Sequence, residues 1–142
     1  MDHGALTDHN THMPPRRIIM RAMLPLAIVF LANEVIFRFT SIYITFRSFD
    51  LITHTLGGLV IAHAVWLLLS KDVRYIYLTL IGSAALAGIL WELYEFTHDV
   101  FVGSTFQMSQ GDTMGDLLFD CIGAGIFIVI LIIQRKRENQ SQ

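Results

Sequence analysis

Charge and cysteine are both scarce in this chain. Only 15% of its 142 residues are charged, against about 25% in an ordinary soluble domain. Ten Lys and Arg stand against twelve Asp and Glu, for a net charge of -2. No basic surface exists to neutralise phosphates, which excludes nucleic-acid binding. The single cysteine, Cys121, excludes an intrachain disulfide and leaves the redox compartment open. There is no internal repeat and no break that would mark a second domain. No small-residue cleavage pattern follows the first apolar run, so a cleaved signal peptide is not expected. What fills the chain is apolar: 54% hydrophobic residues and a mean hydropathy of +0.54. These values identify an integral membrane protein.

Four apolar segments reach the roughly 20 residues that cross the hydrocarbon. They cover residues 18–40, 51–70, 75–96 and 113–133. The expected fold is therefore all-α: a polytopic, single-domain bundle of four transmembrane helices over residues 18–134. Residues 1–17 read as a disordered cytoplasmic tail, with Pro14 and Pro15 just ahead of Arg16 and Arg17, and residues 135–142 as a basic, polar tail. His3, His9 and His12 form a loose cluster in the first tail. With alternating spans, one side of the membrane receives Arg16, Arg17, Arg21, Lys71, Arg74, Arg135, Lys136 and Arg137. The other side receives only Arg38 and Arg47. The positive-inside rule then predicts that both termini are cytoplasmic; the expected location is a bacterial-type inner membrane.

Against this apolar background, Asp112, Asp116 and Asp120 stand four residues apart at the start of the last span. At about 100° per residue they form one stripe on a helix. An acid at the centre of a span costs on the order of 2.5–3.5 kcal/mol, so such a stripe must face protein, water or a cation. The predicted topology gathers the other acids beside it. Asp50 and His54 open the second span, Glu92 and Glu95 close the third, and all fall in the outer half of the bundle. Gly58, Gly88 and Gly123 share these polar faces, which predicts close helix approach. Asp99 returns to the Glu92 face if the third helix persists that far.

Acids crowded in an apolar cleft repel one another and call for a counter-charge. Glu34 stands four residues before Arg38 and reads as a structural pair with it. A divalent cation is the economical partner for the rest. The expected metal ligands are Asp50, His54, Glu92, Asp112, Asp116 and Asp120. Carboxylates alone suit Mg2+, Mn2+ or Ca2+, and adding His54 or His98 opens Zn2+ or Fe2+. Two bland readings stand beside this one: Asp112 as a first-turn acid favoured by the helix dipole, and His54 as a simple hydrogen-bond donor to Asp50. His63, nine residues beyond His54, points to the opposite face. Trp66, Trp91, Tyr75, Tyr77 and Tyr94 read as interfacial or packing groups.

The run Asp50-x3-His54-x2-Gly57, the pair Glu92-x2-Glu95 and the run Gly111-Asp112-x3-Asp116-x3-Asp120-x2-Gly123-Ala124 together resemble the pattern of small YjdF-type inner-membrane proteins. The resemblance covers about the last hundred residues. VanZ-like proteins share a related layout more distantly. They typically carry Gln in place of Glu95, Asn in place of Asp120 and an Arg shortly before Asp116, none of which occurs here. The resemblance implies a four-helix membrane fold and, for VanZ-like members, a link to glycopeptide resistance at the envelope.

Two functions compete on these residues. The first is a metal-dependent enzyme acting on a phosphate-bearing or lipid-linked envelope substrate, with Glu95 or His54 as general base. The second is a non-enzymatic ion-binding carrier or membrane subunit. A carrier would need an inward-open state or oligomeric neighbours to complete its path. A haem bundle using His54 and His98 is disfavoured by the crowd of acids. The implied partners are the lipid bilayer, a lipid-linked substrate and further copies of the chain.

Overall fold

The computed structural model describes residues 14–39, 48–69, 75–107 and 109–141, except for the side chains of residues 37–39. The histidines of the N-terminal tail, the Arg38 side chain, Arg47, Lys71 and Arg74 lie outside the described residues, and so does the expected Glu34–Arg38 pair. Lipid offers no partner to a backbone N–H or C=O, so an apolar run long enough to cross the bilayer folds as a helix. Four helices result: α1 (Pro15–Phe39), α2 (Ser48–Leu68), α3 (Ile76–Val102) and α4 (Gln110–Gln140). Each is long and apolar enough to span a membrane. The protein is an all-helical, four-span membrane protein.

Helix ends follow local chemistry more closely than hydropathy. Pro15 opens α1 at the position where a missing N–H costs nothing. Pro25 lies inside α1, where neighbouring groups in a membrane bundle tolerate the lost hydrogen bond. Ser109 caps α4 in extended conformation, its hydroxyl accepting from the Asp112 N–H. Gly103 ends α3 in the left-handed region at φ 74°, and its N–H returns to the Asp99 carbonyl. Two helices run past their apolar segments. Residues 97–102 continue α3, and residues 134–140, whose Gln, Arg, Lys and Glu are good helix formers, continue α4 through most of the expected tail.

Buried positions recur every four residues and define the packing faces. They are His54, Gly58 and Ala62 on α2, Leu80, Ala84, Gly88 and Glu92 on α3, and Asp116, Asp120 and Ala124 on α4. Helix α2 is central and packs against the other three, while α3 and α4 also pack together. Small residues set the α2–α4 approach. A Cβ on Gly58 would overlap the Asp120 backbone carbonyl, and one on Gly123 would overlap that of Thr55.

The bundle is divided along its length. Ala62, Leu80, Ala84, Ala124, Phe127, Ile128 and Leu131 form a closed apolar core in one half. His63 belongs to this half, its ring edge-on to Phe127 at 5.6 Å. At the far end the Arg135 guanidinium lies 4.7 Å over the Trp66 ring, and Arg135 donates to the Tyr77 hydroxyl at 3.4 Å. The acids occupy the other half.

Candidate functional site

His54 is the hub of the acidic half. It is only 6% exposed, and its two ring nitrogens face different partners. Nδ1 lies 3.2 Å from Asp120 Oδ2. With Asp120 ionised, Nδ1 donates to it, and in that tautomer of the neutral ring the lone pair is on Nε2. Nε2 in turn lies 3.8 Å from Asp50 Oδ1 and 4.0 Å from Glu92 Oε1. These separations are too long for hydrogen bonds. They lie between the about 3.4 Å of tetrahedral neighbours and the about 4.2 Å of opposite ligands around one ion at about 2.1 Å.

Three helices converge here. One ligand atom from each of Asp50, His54 and Asp116 lies within 4.8 Å of the other two. Asp116 and Glu92 are 3% and 6% exposed, and among the described residues the buried oxygens Asp116 Oδ1 and Glu92 Oε1 have no hydrogen-bond partner. Buried polar atoms are almost always paired, because an unpaired one keeps its full desolvation cost. These two oxygens stand on two helices that meet at the His54 ring.

The second oxygen of Glu92 is held in place. Thr113 Oγ1 donates to Glu92 Oε2 at 2.7 Å, and Gln107 Nε2 donates to it at 3.2 Å and to Thr113 Oγ1 at 3.0 Å. Gln107 is itself positioned by Asp99. The Asp99 carboxylate accepts from Ser104 Oγ at 2.5 Å, the Phe106 N–H at 2.8 Å and the Gln107 N–H at 2.9 Å. His98 completes this loop scaffold, bonding Ser104 Oγ at 2.8 Å and stacking on Phe106 at 4.5 Å. Asp99 is therefore a loop-fixing residue. It belongs to α3, which does persist that far, but its carboxylate holds residues 104–107.

The six expected ligands thus take different places. Asp50, His54 and Asp116 come together, and Glu92 joins them through His54 Nε2. Asp120 meets the opposite nitrogen of the ring, the position of a carboxylate that orients a metal-bound histidine. Asp112 sits in the first turn of α4, three residues after its Ser109 cap. Glu95 accepts from the Trp91 indole N–H at 2.7 Å. Gln107 and Thr113 were not anticipated from sequence. Their only signal was that each is a polar residue close to the Ser109 helix start, where orphan donors and acceptors collect.

Apolar spans on the outside and a buried acid–imidazole cluster inside define a multi-pass membrane protein built around a polar centre. The chain belongs to the family described as predicted membrane protein (DUF2238), which it matches over residues 8–137, in keeping with the YjdF-type pattern. An uncharacterized protein of Thermotoga maritima is 29% identical over 116 residues, covering 76% of this chain and 59% of that protein. The chain thus spans less than two-thirds of the length of that relative. No solved structure matches the chain.

Proposed function

We propose that this protein holds one divalent cation inside the membrane domain, with Asp50, His54 Nε2, Glu92 Oε1 and Asp116 Oδ1 as its protein ligands. Asp120 orients the imidazole, and Thr113 with Gln107 orients Glu92. The observation that carries this reading is the pair of buried oxygens on Glu92 and Asp116 that have no hydrogen-bond partner among the described residues. A nitrogen among carboxylates shifts the preference from Mg2+ and Ca2+ toward Zn2+, Fe2+ or Mn2+.

A resident ion fits better than a transported one. The apolar core from Ala62 to Leu131 fills the opposite half of the bundle, so no polar path continues beyond Asp120 among the described residues. A bound ion would polarise a phosphoryl or carbonyl oxygen of an envelope substrate. Glu95, on the Trp91 indole, is the proton acceptor this reading assigns. The distribution of Arg and Lys supports cytoplasmic termini, with the cluster toward the outer face of the inner membrane.

Calorimetric titration of the purified full-length chain with Zn2+ and Mn2+ tests the site. Carboxylates bind metal ionised and histidine binds it neutral, so protons compete with the ion. Affinity is expected to fall on the order of tenfold or more between about pH 7.5 and about pH 5, with protons released on binding. Absence of saturable binding, or an affinity unchanged across that range, contradicts the proposal.

A further inference from the structure

Beside the cluster, on the Asp120 side of the His54 ring, a cleft of about 470 Å³ lies between α1, α2 and α3. It exists because of how α1 is seated. Among the described residues, helix α1 packs closely against α2 only and reaches α3 through long side chains. Phe30 meets Trp91 edge-on at 5.8 Å, and the Tyr94 hydroxyl donates to Glu34 at 3.4 Å. Small residues at Ala27, Gly57 and Ala87 line the space between.

The lining is graded from end to end. Asn33 on α1, Thr53 and His54 on α2 and Trp91 on α3 line it at the end where the acids lie. Met23 and Leu26 on α1 and Val60 and Ile61 on α2 line the other. From Met23 to Asn33 the cleft follows α1 for roughly 15 Å at 1.5 Å per residue. An elongated, mostly apolar space with one polar end, set in a membrane-spanning bundle, matches an amphiphile in both shape and polarity. A helix from a second copy does not fit, because at roughly 10 Å across only about one turn of it would be accommodated. A hydrocarbon chain, roughly 4–5 Å across at van der Waals contact, extends through the whole cleft.

We propose that this cleft binds one acyl chain of a bilayer lipid, with the tail lying between Met23 and Ile61 and the polar head at Asn33, Thr53 and His54. The site shares only His54 with the proposed ion ligands and stands whether or not the cluster holds metal. It also brings a lipid headgroup to the His54 wall of the proposed centre.

The test reconstitutes the full-length chain in phosphatidylglycerol vesicles containing a trace of phosphatidylglycerol with a photoactivatable diazirine. One probe carries the diazirine at the chain end and the other beside the ester. Mass spectrometry then maps the labelled residues. The chain-end probe should label Met23, Leu26 and Ile61, and the ester probe Asn33, Thr53 and Trp91, both above the outward-facing Leu86 and Leu93. Filling the cleft by Ala87→Phe or Ala27→Phe should reduce that labelling to the outward-facing level. Leu86→Phe, on the exposed side of α3, should leave it unchanged. Equal labelling of cleft and outer faces in the wild-type chain, the pattern of annular lipid only, overturns the proposal without reference to any variant. So does cleft labelling that survives both filling substitutions in folded protein.

Discussion

Replacing Gly58 with alanine should destabilise the bundle by about 3 kcal/mol, the upper part of the range for overpacked cores. The added methyl would overlap the carbonyl, the carbonyl carbon and the Cα of Asp120, all backbone atoms that no rotamer change can move. Helices α2 and α4 would have to separate. That movement would also pull His54, one turn away on the same face, from its 3.2 Å contact with Asp120. Two other glycines provide the contrast. At Gly82 and Gly125 an added methyl would meet nothing within 4 Å, so alanine there should be neutral or stabilising by about 0.5–1 kcal/mol through helix propensity. Thermal unfolding of the three variants in one detergent checks the ordering. Equal stability of Gly58→Ala and Gly125→Ala would show that the α2–α4 approach is not as close as described.

The second large effect is a change of sign. Asp116→Asn keeps the shape of the side chain but removes one buried charge from a group of acids. In chelator, the variant should melt at or above the wild-type temperature, because an intramembrane acid costs on the order of 2.5–3.5 kcal/mol and the amide does not carry that charge. With saturating Zn2+ or Mn2+ the order should reverse. A ligand at a hundred times its Kd stabilises the wild type by about 2.7 kcal/mol, and the variant, missing the Asp116 Oδ1 ligand, loses most of that increment. A purely structural role for Asp116 would make the variant less stable in both conditions. The crossing of the two melting curves is therefore the discriminating result.

Much of this architecture was legible in the sequence, because bilayer thickness and the backbone's need for internal hydrogen bonds leave a 20-residue apolar run few alternatives. Spacing was equally informative on the polar faces. Asp50 and His54 at four residues, Glu92 near Gly88, and Asp116 one turn before Asp120 each required burial on one side, and His54, Glu92, Asp116 and Asp120 are buried together. What could not be read was the division of labour within the cluster. Whether Asp120 ligates an ion or holds the imidazole depends on which ring nitrogen it meets, and helix packing decides that. The Asp99–Gln107–Glu92 relay was hidden for a different reason. It runs through residues 103–107, whose path is fixed by a left-handed glycine and side-chain bonds rather than by any periodic pattern. Helix α4 continues through residues 134–140, which hydropathy alone does not mark as helical.

The central claim is that the convergence of Asp50, His54, Glu92 and Asp116 is a cation site, and the metal content of the protein tests it most directly. The full-length chain, purified without chelator and analysed for Mg, Ca, Mn, Fe and Zn, should carry close to one divalent ion per chain and lose thermal stability when that ion is stripped. Metal far below one per chain, together with unchanged stability after chelation, would contradict the account.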